Sequence, residues 1–249
     1  MSKLDNFLLY IGVSVFLLCI ILTFLFFSPK KVQENNPLVF VGDLPSDQVK
    51  EKTLNSLEKG DIILIKPKSM EDSYLYGLSR ENIFSNPVNN FFFYNFFDKL
   101  MISSMGNTYW HIAIYIGNGK MNSLRFSGIH EDELDESFFN YRYFKVLKVK
   151  TSEENKKIAI ERANEHFQKQ DIFYSFKNAL LSVYLESVNS KRILNLKKDE
   201  LICSGYIASI YKEVNFIDKP FTQITPVNLE FSGQTETKIL VNQTGFYLG

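Results

Sequence analysis

Cysteine and histidine are scarce in this sequence, whose 249 residues include two cysteines, three histidines and one tryptophan. Cys19 lies in an apolar N-terminal run, so Cys203 is the only thiol in the rest of the chain, which cannot build an intramolecular disulfide framework. No Cys-x-x-Cys pair accompanies the histidines, which argues against a zinc site. We therefore predict no metal and no cofactor, and the role of Cys203 becomes the main question.

An excess of positive charge is also absent. The 28 basic residues balance the 28 acidic residues, and no long run of lysine or arginine stands out. Proteins that bind nucleic acid through its phosphate backbone carry a basic face or stripe. We therefore expect no nucleic-acid partner.

Leu8 to Phe27 is a mostly apolar run of twenty residues without a charge. As a helix it would be about 30 Å long, which matches the hydrocarbon core of a bilayer. Lys30 and Lys31 close the stretch, and no small-residue cleavage site of a signal peptide follows it. We therefore predict a single-pass membrane protein whose N-terminal anchor occupies residues 1–30. The lone thiol favours a reducing compartment for the remaining chain.

The chain beyond the anchor divides into a linker and one soluble domain. Residues 31–55 are polar and contain two prolines, which predicts a linker, and residues 56–249 then form the domain. Gly60-Asp61 marks a turn before the apolar strand Ile62–Ile65. Residues 67–105 read as an irregular insertion, whose aromatic cluster from Phe91 to Phe97 is either core or a surface for acyl chains or the bilayer.

The soluble domain alternates between strand and helix patterns. Gly117-Asn118-Gly119 separates two β-rich runs and predicts a hairpin, while the acidic residues 131–136 predict a solvated loop or helix face. The alternating hydrophobicity of Tyr143–Lys150 predicts a further strand. Hydrophobic spacing and capping residues predict three helices, over residues 151–168, over residues 173–185 and after Thr225-Pro226. We predict an α+β fold in which an antiparallel sheet packs against helices.

Cys203 lies at the start of another predicted helix, in which Ile202, Tyr206, Ile207 and Ile210 recur at helical spacing. The N–H groups and the dipole at a helix N-terminus favour a thiolate over a thiol. The alternative is that Cys203 is a small core residue, since cysteine is among the most buried residue types.

The order of these motifs resembles the circularly permuted branch of the papain-like amidase and peptidase superfamily, in which the histidine precedes the cysteine. That branch includes NlpC-type and YiiX-like hydrolases, lecithin:retinol acyltransferase-like enzymes and relatives in large DNA viruses. The resemblance covers residues 57–232 through four segments, namely Gly60-Asp61-Ile62, His111 to Gly119, Ile202-Cys203-Ser204 and Thr225 to Leu229. It implies a permuted papain-like domain. The lone thiol favours the cytosolic or virion-interior side of the membrane for this domain.

The resemblance also implies a role for each site residue. Cys203 would be the nucleophile and His111 the general base and acid, a pairing that the chemistry of thiol activation itself requires. The family places a polar orienting residue where Ser123 lies, beside Asn122, and neither is the His or Glu of many relatives. Tyr109 and the backbone N–H of Cys203 are the candidate donors to the oxyanion.

Three functions remain open. The first is a membrane-anchored thiol hydrolase or acyltransferase that cleaves or transfers acyl groups from amides, esters or thioesters, with a lipid or lipidated substrate suggested by the anchor and the aromatic insertion. The second is a peptidase or amidase that acts on peptide or cell-wall substrates. The third is a catalytically inactive membrane or envelope binding protein with the same fold, which the imperfect orienting position favours.

Overall fold

This computed structural model describes residues 39–68, 109, 111–125, 127–187, 197 and 199–249. Its main feature is an eight-stranded sheet, ordered β1-β10-β9-β6-β2-β3-β4-β5, in which all neighbouring strands are antiparallel. A separate parallel pair joins β7 to β8. The strands are β1 (Val39–Gly42), β2 (Ile62–Pro67), β3 (His111–Gly117), β4 (Lys120–Arg125), β5 (Gly128–Glu133), β6 (Arg142–Val149), β7 (Phe173–Tyr174), β8 (Glu200–Leu201), β9 (Thr235–Asn242) and β10 (Gly245–Leu248).

Helices cover both faces of the large sheet. They are α1 (Ser46–Ser56), α2 (Glu136–Tyr141), α3 (Glu153–Lys169), α4 (Phe176–Ser187), α5 (Cys203–Ile210) and α6 (Pro226–Glu230), and a 3-10 turn spans Phe221–Gln223. The predicted α+β class, an antiparallel sheet packed with helices, is confirmed.

The two faces of the sheet follow from the alternation of side chains along each strand. On the first face, Leu64 of β2 and Ile112 of β3 pack in one apolar cluster with Ala159 of α3 and Ile207 of α5. On the second face, the neighbouring strand residues pack in another cluster with α1 and α2, namely Ile63, Ile65, Ala113, Tyr115, Val49, Phe138 and Phe139. The central strands β2 and β3 bury both faces, so their sequences are apolar almost throughout.

The predicted linker, residues 31–55, differs from the structure. From Val39 onward this segment belongs to the domain, because β1 pairs with β10 at the far end of the chain and α1 buries Val49 and Thr53. The sequence of α1 is mostly polar, so its apolar residues show only a weak helical spacing. The partner strand of β1 is remote in sequence, so a local pattern could not predict their pairing.

Several local predictions are confirmed. Gly117, Asn118 and Gly119 have φ angles of 101°, 55° and 70°, which only glycine and asparagine adopt readily, and they form the β3–β4 turn. Asp61 fixes the turn before β2, because its Oδ2 accepts the Glu58 N–H at 2.8 Å. The predicted strand at 143–150 is β6, and Thr225 caps α6 with Pro226 as its first residue.

The acidic residues 131–136 are a strand end and the start of α2 rather than a solvated loop or a single helix face. Two of their charges are neutralised across β4 and β5, where Lys120 pairs with Glu131 at 2.7 Å and Arg125 pairs with Asp132. This pairing allows an acidic sequence to occupy an edge strand.

The predicted anchor Leu8–Phe27 and nearly all of the predicted insertion 67–105 lie outside the described residues. Within the described part of the chain, no helix combines the length and the apolar character needed to cross a bilayer.

Candidate active site

Helix α5 begins at Cys203 and packs across β3 and β4 on the first face of the sheet. Two contacts hold its N-terminal turn in place. The Ser204 hydroxyl donates to the carbonyl of Ile224 at 2.6 Å, and Gly205 lies so close to the Phe221 carbonyl that no side chain fits between them. The first turn of α5 is therefore fixed against the loop that precedes α6.

Burial raises the pKa of Cys203 to about 11, although hydrogen bonds from the backbone N–H groups of Ser204, Ile112 and Cys203 itself favour the thiolate and lower it. The residue is only 3% exposed, so the loss of solvation outweighs the stabilisation expected from the helix N-terminus. Cys203 is consequently a thiol at neutral pH, so burial outweighs the effect of the helix start that favours a thiolate.

The hydrogen bond from Ile112 places the thiol beside β3. The β3–β4 ladder extends from the turn to the pair Ile114–Asn122, and Ile112 lies two residues further along β3. His111 directly precedes Ile112, so the thiol of Cys203 lies beside the backbone of the predicted general base.

His111 is neutral as well. Burial is the main cause that lowers the pKa of His111 to about 3, and the neighbouring basic side chains Arg125, Arg142 and His130 contribute to the same shift. The residue as a whole is half-buried, but its Nε2 is fully buried and has no hydrogen-bond partner among the described residues. In this structure Nε2 is therefore not bonded to the thiol.

Strand register explains this separation. His111 pairs with Ile65 of β2, and the Ile65 side chain belongs to the second face. Directly paired residues of adjacent strands share a face, so the His111 side chain leaves the sheet on the second face, whereas Cys203 approaches from the first.

The two candidate orienting residues lie on opposite faces, as their adjacent positions on β4 require. Asn122 faces α5, where its Oδ1 accepts a hydrogen bond from the Tyr206 hydroxyl at 2.7 Å. Ser123 is paired with His130 of β5 and belongs to the second face, together with His111. Both are completely buried, and Asn122 Nδ2 and Ser123 Oγ have no hydrogen-bond partner among the described residues.

Tyr109 lies in the same apolar cluster as Cys203 and is 7% exposed. The Lys145 ammonium lies 5.8 Å from the centroid of its ring, and Lys145 in turn forms a buried ion pair with Glu230. The predicted oxyanion donor thus shares the first face with the thiol.

Sequence reasoning did not include the basic side chains that surround His111, namely Arg125, Arg142 and His130. Each lies on a different strand, β4, β6 and β5, so no local motif connects them. The usable signal is the register of the sheet, which places these polar residues themselves on the second face, because residues next to them along the strands, such as Leu124 and Ile129, point to the first face.

Within the described ranges, no group of three or more His, Cys, Asp or Glu residues could hold a metal ion. A scan against models of protein families found no match, and a search of curated proteins found none either.

Proposed function

We propose that the chain is a membrane-anchored thiol hydrolase or acyltransferase with a permuted papain-like domain, which cleaves or transfers acyl groups of a lipid or lipidated substrate. One observation carries the proposal: Cys203 opens a buried helix, and the N–H groups of Cys203, Ser204 and Ile112 surround its sulfur beside the backbone of His111. Nucleophilic catalysis requires a thiol held by converging N–H groups and a base that can reach it.

The protonation states define the first step. Thiol and imidazole are both neutral, and their side chains lie on different sides of the sheet. In the proposed reaction the His111 side chain therefore turns towards α5, where its Nε2 takes the Cys203 proton while sulfur forms its bond to the acyl carbon. The imidazolium then protonates the leaving group as the carbon–heteroatom bond breaks, which leaves a thioester. Water or another acceptor attacks the thioester, gives its proton to His111, and the sulfur leaves and recovers a proton from the imidazolium.

The same backbone donors serve the oxyanion. The Cys203 N–H and the Tyr109 hydroxyl lie on the first face with the thiol, so charge that develops on the acyl oxygen is stabilised there. Ser123 shares the second face with His111 but makes no hydrogen bond to it, so its orienting role in this scheme begins only when the His111 side chain moves within reach of the hydroxyl. Asn122 fixes α5 through Tyr206. A peptidase or amidase reaction would use the same groups on a peptide bond.

A second candidate is a binding protein that keeps the fold without the chemistry. The observation that favours it is the pair of pKa shifts, which leaves the thiol of Cys203 protonated and the imidazole of His111 a weak base. Under this candidate neither residue forms a covalent adduct.

Intact-mass measurement of an acyl-enzyme separates the two candidates. The full-length protein carrying Cys19→Ser is mixed in detergent with a 4-nitrophenyl ester of a medium-chain fatty acid and, separately, with a peptide ester. A hydroxylamine-sensitive adduct should form with the lipid ester, vanish with Cys203→Ala, and form at least about 100-fold more slowly with His111→Ala, as expected for loss of a general base. An absent adduct, or one that survives Cys203→Ala, would favour the binding protein, and a preference for the peptide ester would favour the peptidase.

A further inference from the structure

A group of polar side chains converges on the second face around His111. His111 pairs with Ile65, and Arg142 precedes Phe144, the other partner of Ile65, by two residues, so both side chains leave the sheet on that face. Ser123 and its partner His130 belong to the same face, and Arg125 follows Ser123 by two residues. We name His111, Ser123, Arg125, His130 and Arg142 the second-face polar cluster.

This cluster is rich in hydrogen-bond donors. Two guanidinium groups contribute five N–H donors each, and the imidazoles and the hydroxyl add more. Asp132 pairs with Arg125, and the Tyr141 carbonyl accepts a bond from Arg142 at 3.2 Å, but a guanidinium holds several acceptors at once. Among the described residues, the side chains that shift the pKa of His111 are all basic, namely Arg125, Arg142 and His130.

Two members of the cluster have buried polar atoms that bond to nothing in the described part of the chain. The Ser123 side chain is 0% exposed and its Oγ has no partner, and His111 Nε2 is in the same situation. An unsatisfied buried hydroxyl costs roughly 1–3 kcal/mol of stability, so its presence calls for a ligand. Ser123 lies directly opposite His130, which brings this hydroxyl into the basic surroundings.

We propose that the second-face polar cluster binds a phosphate group, with Ser123 Oγ as a donor between Arg125 and Arg142. Donors that arrive from the two strands β4 and β6 suit a tetrahedral oxyanion, which offers several oxygens in different directions, better than a flat carboxylate. The phosphate could belong to a phospholipid headgroup or be free in solution.

Because the cluster includes the proposed general base, a phospholipid phosphate bound here would belong to the acyl substrate itself, and this step rests on the proposed function. Its negative charge would offset the guanidinium charges that act on His111 and so strengthen the base when substrate is present. The distance between the bound phosphate and the Cys203 thiol would then determine which acyl carbon of the lipid the thiol attacks.

Phosphate binding is measured on full-length Cys203→Ala protein in a phosphate-free detergent, so that the result does not depend on catalysis. One arm titrates inorganic phosphate by calorimetry at constant ionic strength, and a second compares mixed micelles that contain phosphatidylglycerol with micelles of detergent alone. Binding of inorganic phosphate supports a site for the free ion as well as for a headgroup. Binding of phosphatidylglycerol alone supports a site for the lipid headgroup.

Ser123→Ala is the decisive variant, because it removes a hydroxyl with no protein partner and should leave the fold at least as stable as before. Phosphate affinity should fall about fivefold to tenfold with Ser123→Ala and more than about tenfold with Arg142→Gln. Ser182→Ala, at another buried serine, and Arg162→Gln, at the arginine paired with Glu213, are the matched controls and should bind normally. No binding in either arm, an unchanged affinity in Ser123→Ala, or tighter binding of acetate than of phosphate would overturn the proposal.

Discussion

At the scale of single residues, the two proposed catalytic groups are neutral at pH 7 for a shared physical reason. Each lies where water cannot solvate its charged form, so burial raises the pKa of Cys203 and lowers the pKa of His111. An ion pair between them would need each charge to compensate the lost solvation of the other. Their side chains instead leave β3 and α5 towards different sides of the sheet.

The alkylation of Cys203 should therefore be slow at neutral pH. With a thiol pKa of about 11, the rate of reaction with iodoacetamide should rise about tenfold per pH unit between pH 7 and 10 in the Cys19→Ser background. His111→Ala should leave this profile unchanged, because the imidazole is neutral in that range. Rapid labelling that levels off below pH 8 would mean that a thiolate is present and would contradict the burial argument.

His111 should make the protein less stable in acid. Its folded pKa of about 3 lies below the unfolded value near 6.5, so the unfolded chain binds more protons between these pH values. The stabilisation is complete above pH 6.5 and is lost as the pH falls towards 3. At pH 5 the loss amounts to at most about 2 kcal/mol. Urea unfolding at pH 7.5 and 5 should show a smaller acid loss in His111→Gln than in the parent, and an equal loss in both would exclude this residue as the cause.

At the scale of elements, the position of α5 depends on a glycine. An added Cβ at Gly205 would lie well inside van der Waals contact with the carbonyl oxygen of Phe221, which is main chain and cannot rotate away. Gly205→Ala should therefore cost roughly 1–3 kcal/mol of unfolding free energy and displace the first turn of α5. Gly233→Ala is the matched control, because its Cβ would meet nothing within 4 Å. Equal urea midpoints for the two variants would show that the contact relaxes at little cost.

The sequence predicted best the elements whose signals are local. The β3–β4 hairpin follows from Gly117-Asn118-Gly119, and α5 and α6 follow from apolar spacing and from the Thr225-Pro226 start. The prediction of a linker over residues 31–55 failed because β1 pairs with β10, a strand near the other end of the sequence. Residues brought together by sheet register, such as Arg142 and His111, share no motif for the same reason.

The protonation states of Cys203 and His111 could not be predicted from the sequence, because they also depend on contacts between remote parts of the chain. A helix N-terminus can be predicted from the residues that begin it, and the N–H groups around Cys203 do favour the thiolate. Burial is a property of the whole packed domain, and here it is the larger effect. The sign of the Cys203 shift therefore depends on the three-dimensional packing of α5 against β3.

At the scale of the whole molecule, the sheet and the layer of α6 are joined by a charge pair in the interior. Lys145 of β6 and Glu230 of α6 are separated by 2.7 Å, and their side chains are 1% and 2% exposed. Both ions have lost their hydration, so each depends on the other for compensation. The Lys145 ammonium also lies over the ring of Tyr109, which connects this pair with the first-face cluster of Cys203.

Removing one partner of this pair should be far more harmful than removing both. Lys145→Met leaves the Glu230 carboxylate buried without its cation and should cost about 3–5 kcal/mol, whereas Lys145→Met with Glu230→Leu should recover most of that loss. Lys157→Met is the control, because Lys157 and Glu161 form an exposed pair at 4.0 Å and its loss should change stability by less than about 0.5 kcal/mol. Urea unfolding followed by circular dichroism measures all three. A double variant no more stable than Lys145→Met would contradict this prediction, because it would show that Lys145 and Glu230 make further stabilising contacts that hydrophobic side chains cannot replace. Recovery in the double variant would instead mean that two apolar side chains can join α6 to the sheet without the charges.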